Sequence, residues 1–508
     1  MQNRSTLSAA LLAGASALIL SACGGGGDGG AATPPVATPA PPAAETFVTV
    51  EGAIDGFGSI IVNGTRYDTD SAEVRVDGRD ASLSDLSVGQ IVALRARRNA
   101  EGELPTALRV RYEEVLEGPV DSISADGRSL VILGQTVFLT DDTVFEDDLD
   151  PATIAVGDLL EVSGSFTADG DIVASYVEVS DEVDGDYEVH GTVGALDEAA
   201  QTFRVRGLKI GYATAELDDF DDGETLSNGD KVEVEGSTFL NDGTLIATRV
   251  EYEGDDLDEL DGDEDEDGDI EEAEIEGFIT AFTDAGSFEV AGVPVITTAD
   301  TEFEDCAPGD LRLDLEVEVE GTFDADGVLV ADEVECEVEA DQFITAELDA
   351  VDVDAGTITL LGLTVLVDED TSYQDKSDAR LRPFGLADLM AGDVVRVQLY
   401  RLSGDGDAVA KRIRREDADD FDGPEVKGAV EALGEDSLVV AGVTVVFDAA
   451  TEYELDDDAV SRDAFLDAVA PGDRVEVEGV EDADGNLLAR EIERDDDEGD
   501  ADGEDGDD

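Results

Sequence analysis

A chain of 508 residues with 129 acidic against 30 basic side chains carries a formal charge of −99, which repels DNA, RNA and anionic headgroups and excludes nucleic acid as a partner. Because 42% of its residues are apolar, it is not simply a disordered acidic polymer, and its length calls for several small domains. The charge attracts divalent cations and basic proteins, and equally suits solubility in salty surroundings.

The chain opens with Arg4 ahead of an apolar stretch from Leu7 to Leu20, too short to span a bilayer comfortably and read as a cleavable signal core. Leu20-Ser21-Ala22-Cys23 follows and resembles the lipobox of bacterial lipoproteins. Residues 1–22 are thus expected to be removed, leaving Cys23 as a lipid-modified first residue whose acyl chains hold the protein on a lipid bilayer. By the same resemblance, Gly24 after the cysteine points to the outer membrane of a cell envelope. Residues 23–46 are a glycine- and proline-rich tether whose later part favours extended polyproline II geometry.

The interior repeats itself. A glycine within an apolar hairpin recurs at Gly64, Gly134, Gly207, Gly292, Gly362 and Gly442, which defines six units over 47–113, 114–182, 186–253, 273–339, 343–417 and 423–494. A second signature, as in VGDLLEVSG at Gly157 and PGDRVEVEG at Gly472, follows most of them, and unit four lacks its first glycine. Apolar and acidic residues alternate with the period of half-buried strands, and Asp-Gly and Asn-Gly pairs supply tight turns. Unit three shows five strands: YEVHGTV, TFRVRG, LKIGYAT, KVEVEG and TLIATRVEYE. The expected fold class is all-β: about six tandem, five-stranded antiparallel barrels, OB-like because closure removes exposed edges. An SH3-like barrel or a small sandwich fits the same pattern.

Unit one, FGSIIVNGTRYDTDSAEVRVDGRDASLSDLSVGQIVALRAR, resembles the bacterial family called domain of unknown function 5666, and the later units resemble it more loosely. The resemblance implies a multi-repeat envelope protein and brings no catalytic residues.

Little in the chain reads as chemistry. The single histidine, His190, falls on an expected strand without a nucleophile pattern, so it reads as structural and no enzyme is expected. Cys306 and Cys336 share unit four, and an oxidising envelope compartment would let them pair. Between units three and four, residues 254–272 form an acidic linker. Over residues 263–274, which run from it into unit four, Asp263, Asp265, Asp267, Asp269 and Glu274 fall at calcium-loop positions one, three, five, seven and twelve, with Gly268 at six. The flanking strand pattern EIEGFIT is not the helix such a loop needs, and a solvated spacer explains the run as well. Residues 495–508 are an acidic tail. Two expectations result: a membrane-anchored structural or interaction module with an envelope or surface protein partner, and, as the alternative, a calcium-responsive binding protein. A carboxylate-dependent envelope hydrolase ranks below both.

Overall fold

The computed structural model describes residues 46–494 apart from 100–102, 147–148, 181–186, 219, 221–224, 253–271, 325–326, 338–339, 369–370, 402–407, 420, 456–457 and 484. Unit two shows the common plan. Its strands are Leu116–Ile123, Ser129–Ile132, Gln135–Phe145, Leu159–Phe166 and Ile172–Val179. In space they run first, second, third, fifth, fourth and back to the first, the order of an OB-like barrel. Alternate residues such as Leu116, Leu130, Val137, Leu160 and Ile172 fill the interior. Units four and six close through the same circle of five ladders.

The expectation of purely antiparallel barrels is corrected at one ladder. The third and fifth strands run parallel, with Val137 beside Ile172 in unit two, Val295 beside Leu329 in unit four and Val445 beside Leu487 in unit six. The third strand does not turn back into the fourth. In units one, two, five and six the chain between them passes through a short helix: Leu83–Asp85, Pro151–Thr153, Leu386–Asp388 and Arg462–Ala468. That detour leaves the fifth strand to fill the place beside the third.

The Gly-Asp signature is a structural latch. Gly157, at φ 98°, donates its N–H to the Val120 carbonyl at 2.9 Å while Asp158 accepts from Ala155 N at 2.8 Å. Gly229, Gly392 and Gly472 repeat the bond to Val193, Leu348 and Val430. Unit four, which lacks this glycine, puts Asp314 there at φ 59° and donates to the Ile279 carbonyl at 3.1 Å. An aspartate tolerates the left-handed region better than most side chains, so the latch survives. The glycine that ends the signature marks a bulge: pairing shifts beside Gly164, Gly321 and Gly479. A Cβ on Gly164, Gly321 or Gly479 would lie 2.3–2.4 Å from the opposing carbonyl oxygen, so the close backbone approach requires glycine.

The barrels are not separate beads, because their first strands pair. Units two and three join antiparallel through Leu116–Val189 and Glu117–Glu188, and units five and six through Phe343–Lys427, Ile344–Val426 and Thr345–Glu425. Each of these pairs also shares one apolar cluster. Units one and four, distant in sequence, pair in parallel from Val48–Glu272 to Glu51–Ile275 but keep separate apolar clusters. There Arg98 bridges Glu272 at 2.9 Å and Glu320 at 2.6 Å, and Ala53 N donates to Glu276 Oε2 at 3.1 Å. Edges that closure was expected to remove are thus covered by neighbouring barrels, which protects them equally well.

Candidate functional site

The strand alternation in units two and three gathers the one histidine with glutamates. Side chains two apart on a strand share a face, and residues opposite one another on neighbouring strands do so as well. On Tyr187–Asp197, Glu188 and His190 therefore point one way while Val189 points into the barrel. Across the ladders, His190 faces Glu233 and Glu188 faces Glu117. Glu114 arrives from the connector between units one and two. Donor atoms of Glu188, His190 and Glu233 lie within 4.8 Å of one another, and so do those of Glu114, Glu117 and Glu188.

The group is largely withdrawn from solvent, with Glu114 and Glu117 each 5% exposed and His190 7%. His190 Nε2 lies 2.8 Å from Glu188 Oε1, Ser180 Oγ donates to Glu117 Oε1, and Arg206 donates to the His190 carbonyl at 3.1 Å. Glu114 Oε2 is buried and meets no donor group, only the Asp77 carboxyl. Burial, followed by the neighbouring Asp77 and Glu188 carboxyls, pushes Glu114 up to about 11. Burial and Glu188 push Glu233 to about 8, against the opposing pull of His190. Like charges crowded at low dielectric retain protons or take a cation. Glu114 and His190 also line a cavity of about 300 Å³ among units one to four, with Arg111, Arg206 and Lys231 on its walls.

A second set of half-buried carboxyls lies around the seam between units one and four. Burial raises Asp55 to about 6, against the stabilising Gly64 N–H. Burial with Glu337 raises Glu316 to about 7, and burial with Glu274 raises Glu318 to about 10. Lys411 Nζ approaches Glu337 at 3.3 Å. These carboxyls hold protons more tightly folded than unfolded, so the stability present in full below the unfolded values of 3.8 and 4.5 is lost as pH rises through the folded ones. The thermal midpoint should be about 5 °C or more higher at pH 5 than at pH 8.5. Glu316→Gln should remove part of that slope. A midpoint that is flat, or higher at pH 8.5, in a calorimetric pH series would refute the assignment.

Among the residues singled out from sequence, Cys306 and Cys336 form a disulfide with Cα atoms 5.7 Å apart. His190 is a buried strand residue. Glu274 lies within the strand Glu272–Asp284, laddered to Val50 and Glu320; burial and then Glu320 raise it to about 7. Cys23, Asp263, Asp265, Asp267 and Asp269 lie outside the described residues. Sequence reasoning missed Glu114, Glu117, Glu188 and Glu233 as a group. The signal was the Glu-Val-His alternation at 188–190 opposite the Glu-Val-Glu of KVEVEG.

No curated protein matches the chain. A solved structure described as drosophila Unr CSD456 is similar at 15% identity over 44% of this chain and 95% of that one, with a TM-score of 0.11, too low to carry an argument. Residues 48–111, 117–178, 190–251, 276–335, 345–414 and 427–493 match the family described as Domain of unknown function (DUF5666), and each match falls on one barrel. The chain belongs to the DUF5666 family and carries six copies of its domain.

Proposed function

We propose that this chain is a lipid-anchored protein of the bacterial cell envelope whose six barrels form a structural or interaction module, without catalysis of its own. The observation that supports the module most is the pairing of first strands, which turns six small domains into three two-barrel sheets, in a chain acidic enough to attract a basic envelope partner. The anchor rests on Leu20-Ser21-Ala22-Cys23 and the tether that follows it.

Expression of the full chain in a Gram-negative host tests the anchor. Mass spectrometry of the mature protein should find a diacylglyceryl thioether on Cys23, and the protein should sediment with outer membranes. Cys23→Ser should move it to the soluble fraction. An unmodified Cys23, or the same membrane distribution for both forms, would overturn the proposal.

A further inference from the structure

We propose that the seam between units two and three binds a divalent transition-metal ion of the zinc class through Glu188, His190 and Glu233, with Glu114 and Glu117 completing the site around Glu188. The site is independent of the lipid anchor and of the acidic linker.

The backbone already sets the donors in place. Glu188 and His190 are two apart on one strand, Glu233 is directly across one ladder and Glu117 across the other, so four donors share a face without any loop having to order. The two triads, each within 4.8 Å, share Glu188. Zinc bonds of about 2.0 Å put neighbouring ligand atoms roughly 3.3 Å apart, a closure that side-chain rotation supplies.

Crowded carboxylates alone are common in so acidic a chain. What distinguishes this group is Glu114, which is 5% exposed, whose buried Oε2 meets no donor group and only another carboxyl, Asp77, and whose carboxylate converges on Glu117 and Glu188. A buried polar atom left unmatched is destabilising, and a cation held among these carboxylates satisfies it. The imidazole decides the class of ion. Calcium and magnesium take oxygen donors, whereas one imidazole with several carboxylates suits zinc and its first-row neighbours. The cavity lined by Glu114 and His190 offers an entry path.

The test uses the full chain carrying Cys23→Ser, which removes the one thiol outside the Cys306–Cys336 bridge, purified in mild detergent and stripped with chelator. Zinc chloride titrated by calorimetry in physiological salt with excess magnesium should show saturable binding of one or two equivalents at micromolar Kd or tighter. Calcium chloride should show none at this seam. His190→Ala and Glu114→Gln should each weaken zinc by about 30-fold or more while keeping the β-sheet circular dichroism. Cobalt in place of zinc should give visible absorption bands that change in His190→Ala, and zinc but not calcium should raise the thermal midpoint of the unsubstituted chain. Unsaturable zinc heats, zinc affinity unchanged by both substitutions, or calcium competing equally would overturn the site.

Discussion

Asp375→Ala is expected to destabilise the barrel of unit five by about 3 kcal/mol, because it takes the bidentate carboxylate from a buried guanidinium. The Asp375 side chain is fully buried and that of Arg415 is 10% exposed. Arg415 Nε donates to Asp375 Oδ1 at 2.8 Å, and its Nη2 donates to Oδ2. Ser377 Oγ at 2.6 Å and Leu381 N at 2.7 Å fill the remaining acceptor positions, and the guanidinium lies 4.6 Å from the Phe384 ring centre. Burial alone would raise the Asp375 carboxyl. The hydrogen bonds from Arg415, Ser377 and Leu381 overcome it and hold the group at about 2. The pair joins Ser372–Asp375 to the last strand of the unit, Ala408–Arg415. Removing the aspartate leaves the buried Arg415 only the longer contact to Asp393 at 3.7 Å, whereas replacing both partners, Asp375→Leu with Arg415→Met, should cost far less. Urea unfolding of the three proteins checks this. If the single variant lost less than about 1 kcal/mol, or if the double variant lost as much as the single, the bridge would not hold the barrel as described.

Cys306→Ala with Cys336→Ala should weaken unit four by about 3–4 kcal/mol. The bridge closes a separation of 30 residues, and the chain-entropy account gives roughly that stabilisation for such a loop. Cys336 belongs to the strand Leu329–Cys336 and is 6% exposed, so the cross-link ties the approach to the fourth strand directly to the end of the fifth. Unit four lends its first strand to unit one, so loosening it should also speed amide exchange at Val48–Glu51. Thermal unfolding with and without reductant, followed by exchange at those residues, measures both effects. An unchanged midpoint after full reduction would contradict the prediction.

The repeats, the strands and their hairpins were legible because each local signal has one structural meaning here. Alternation marks a half-buried strand, and the glycines at 64, 134, 292, 362 and 442 all have φ between 65° and 85°. The residues before them, Asn63, Leu133, Ala291, Leu361 and Ala441, also have positive φ, as a type I′ turn demands. Of these, only Asn63 advertises that conformation by its own chemistry; the others are carried into it by the hairpin. Pairing between units was not legible, because the first strands read alike. Nothing in TFVTVEGAIDGF marks it for a parallel partner more than two hundred residues away. The carboxylates around His190 were hidden for a related reason. A glutamate on every second position is the ordinary pattern of a solvated strand face, and only the ladder register shows that Glu188, His190, Glu233 and Glu117 meet under cover of Glu114. Glu274, read as the last ligand of a calcium loop, belongs to a strand ladder whose register is likewise invisible in one dimension.

The most direct test of the paired-barrel architecture is a cross-link across its longest-range seam. Thr49 and Ala273 are partners in the parallel ladder and both are buried. In a chain also carrying Cys23→Ser, Cys306→Ala, Cys336→Ala and an engineered protease site at residue 260, Thr49→Cys with Ala273→Cys should oxidise readily. After cleavage the two fragments should run as one band until reduced. Thr49→Cys with Thr345→Cys, which have other ladder partners, should give two bands. Two bands for the Thr49–Ala273 pair under oxidising conditions would mean that units one and four do not share a sheet.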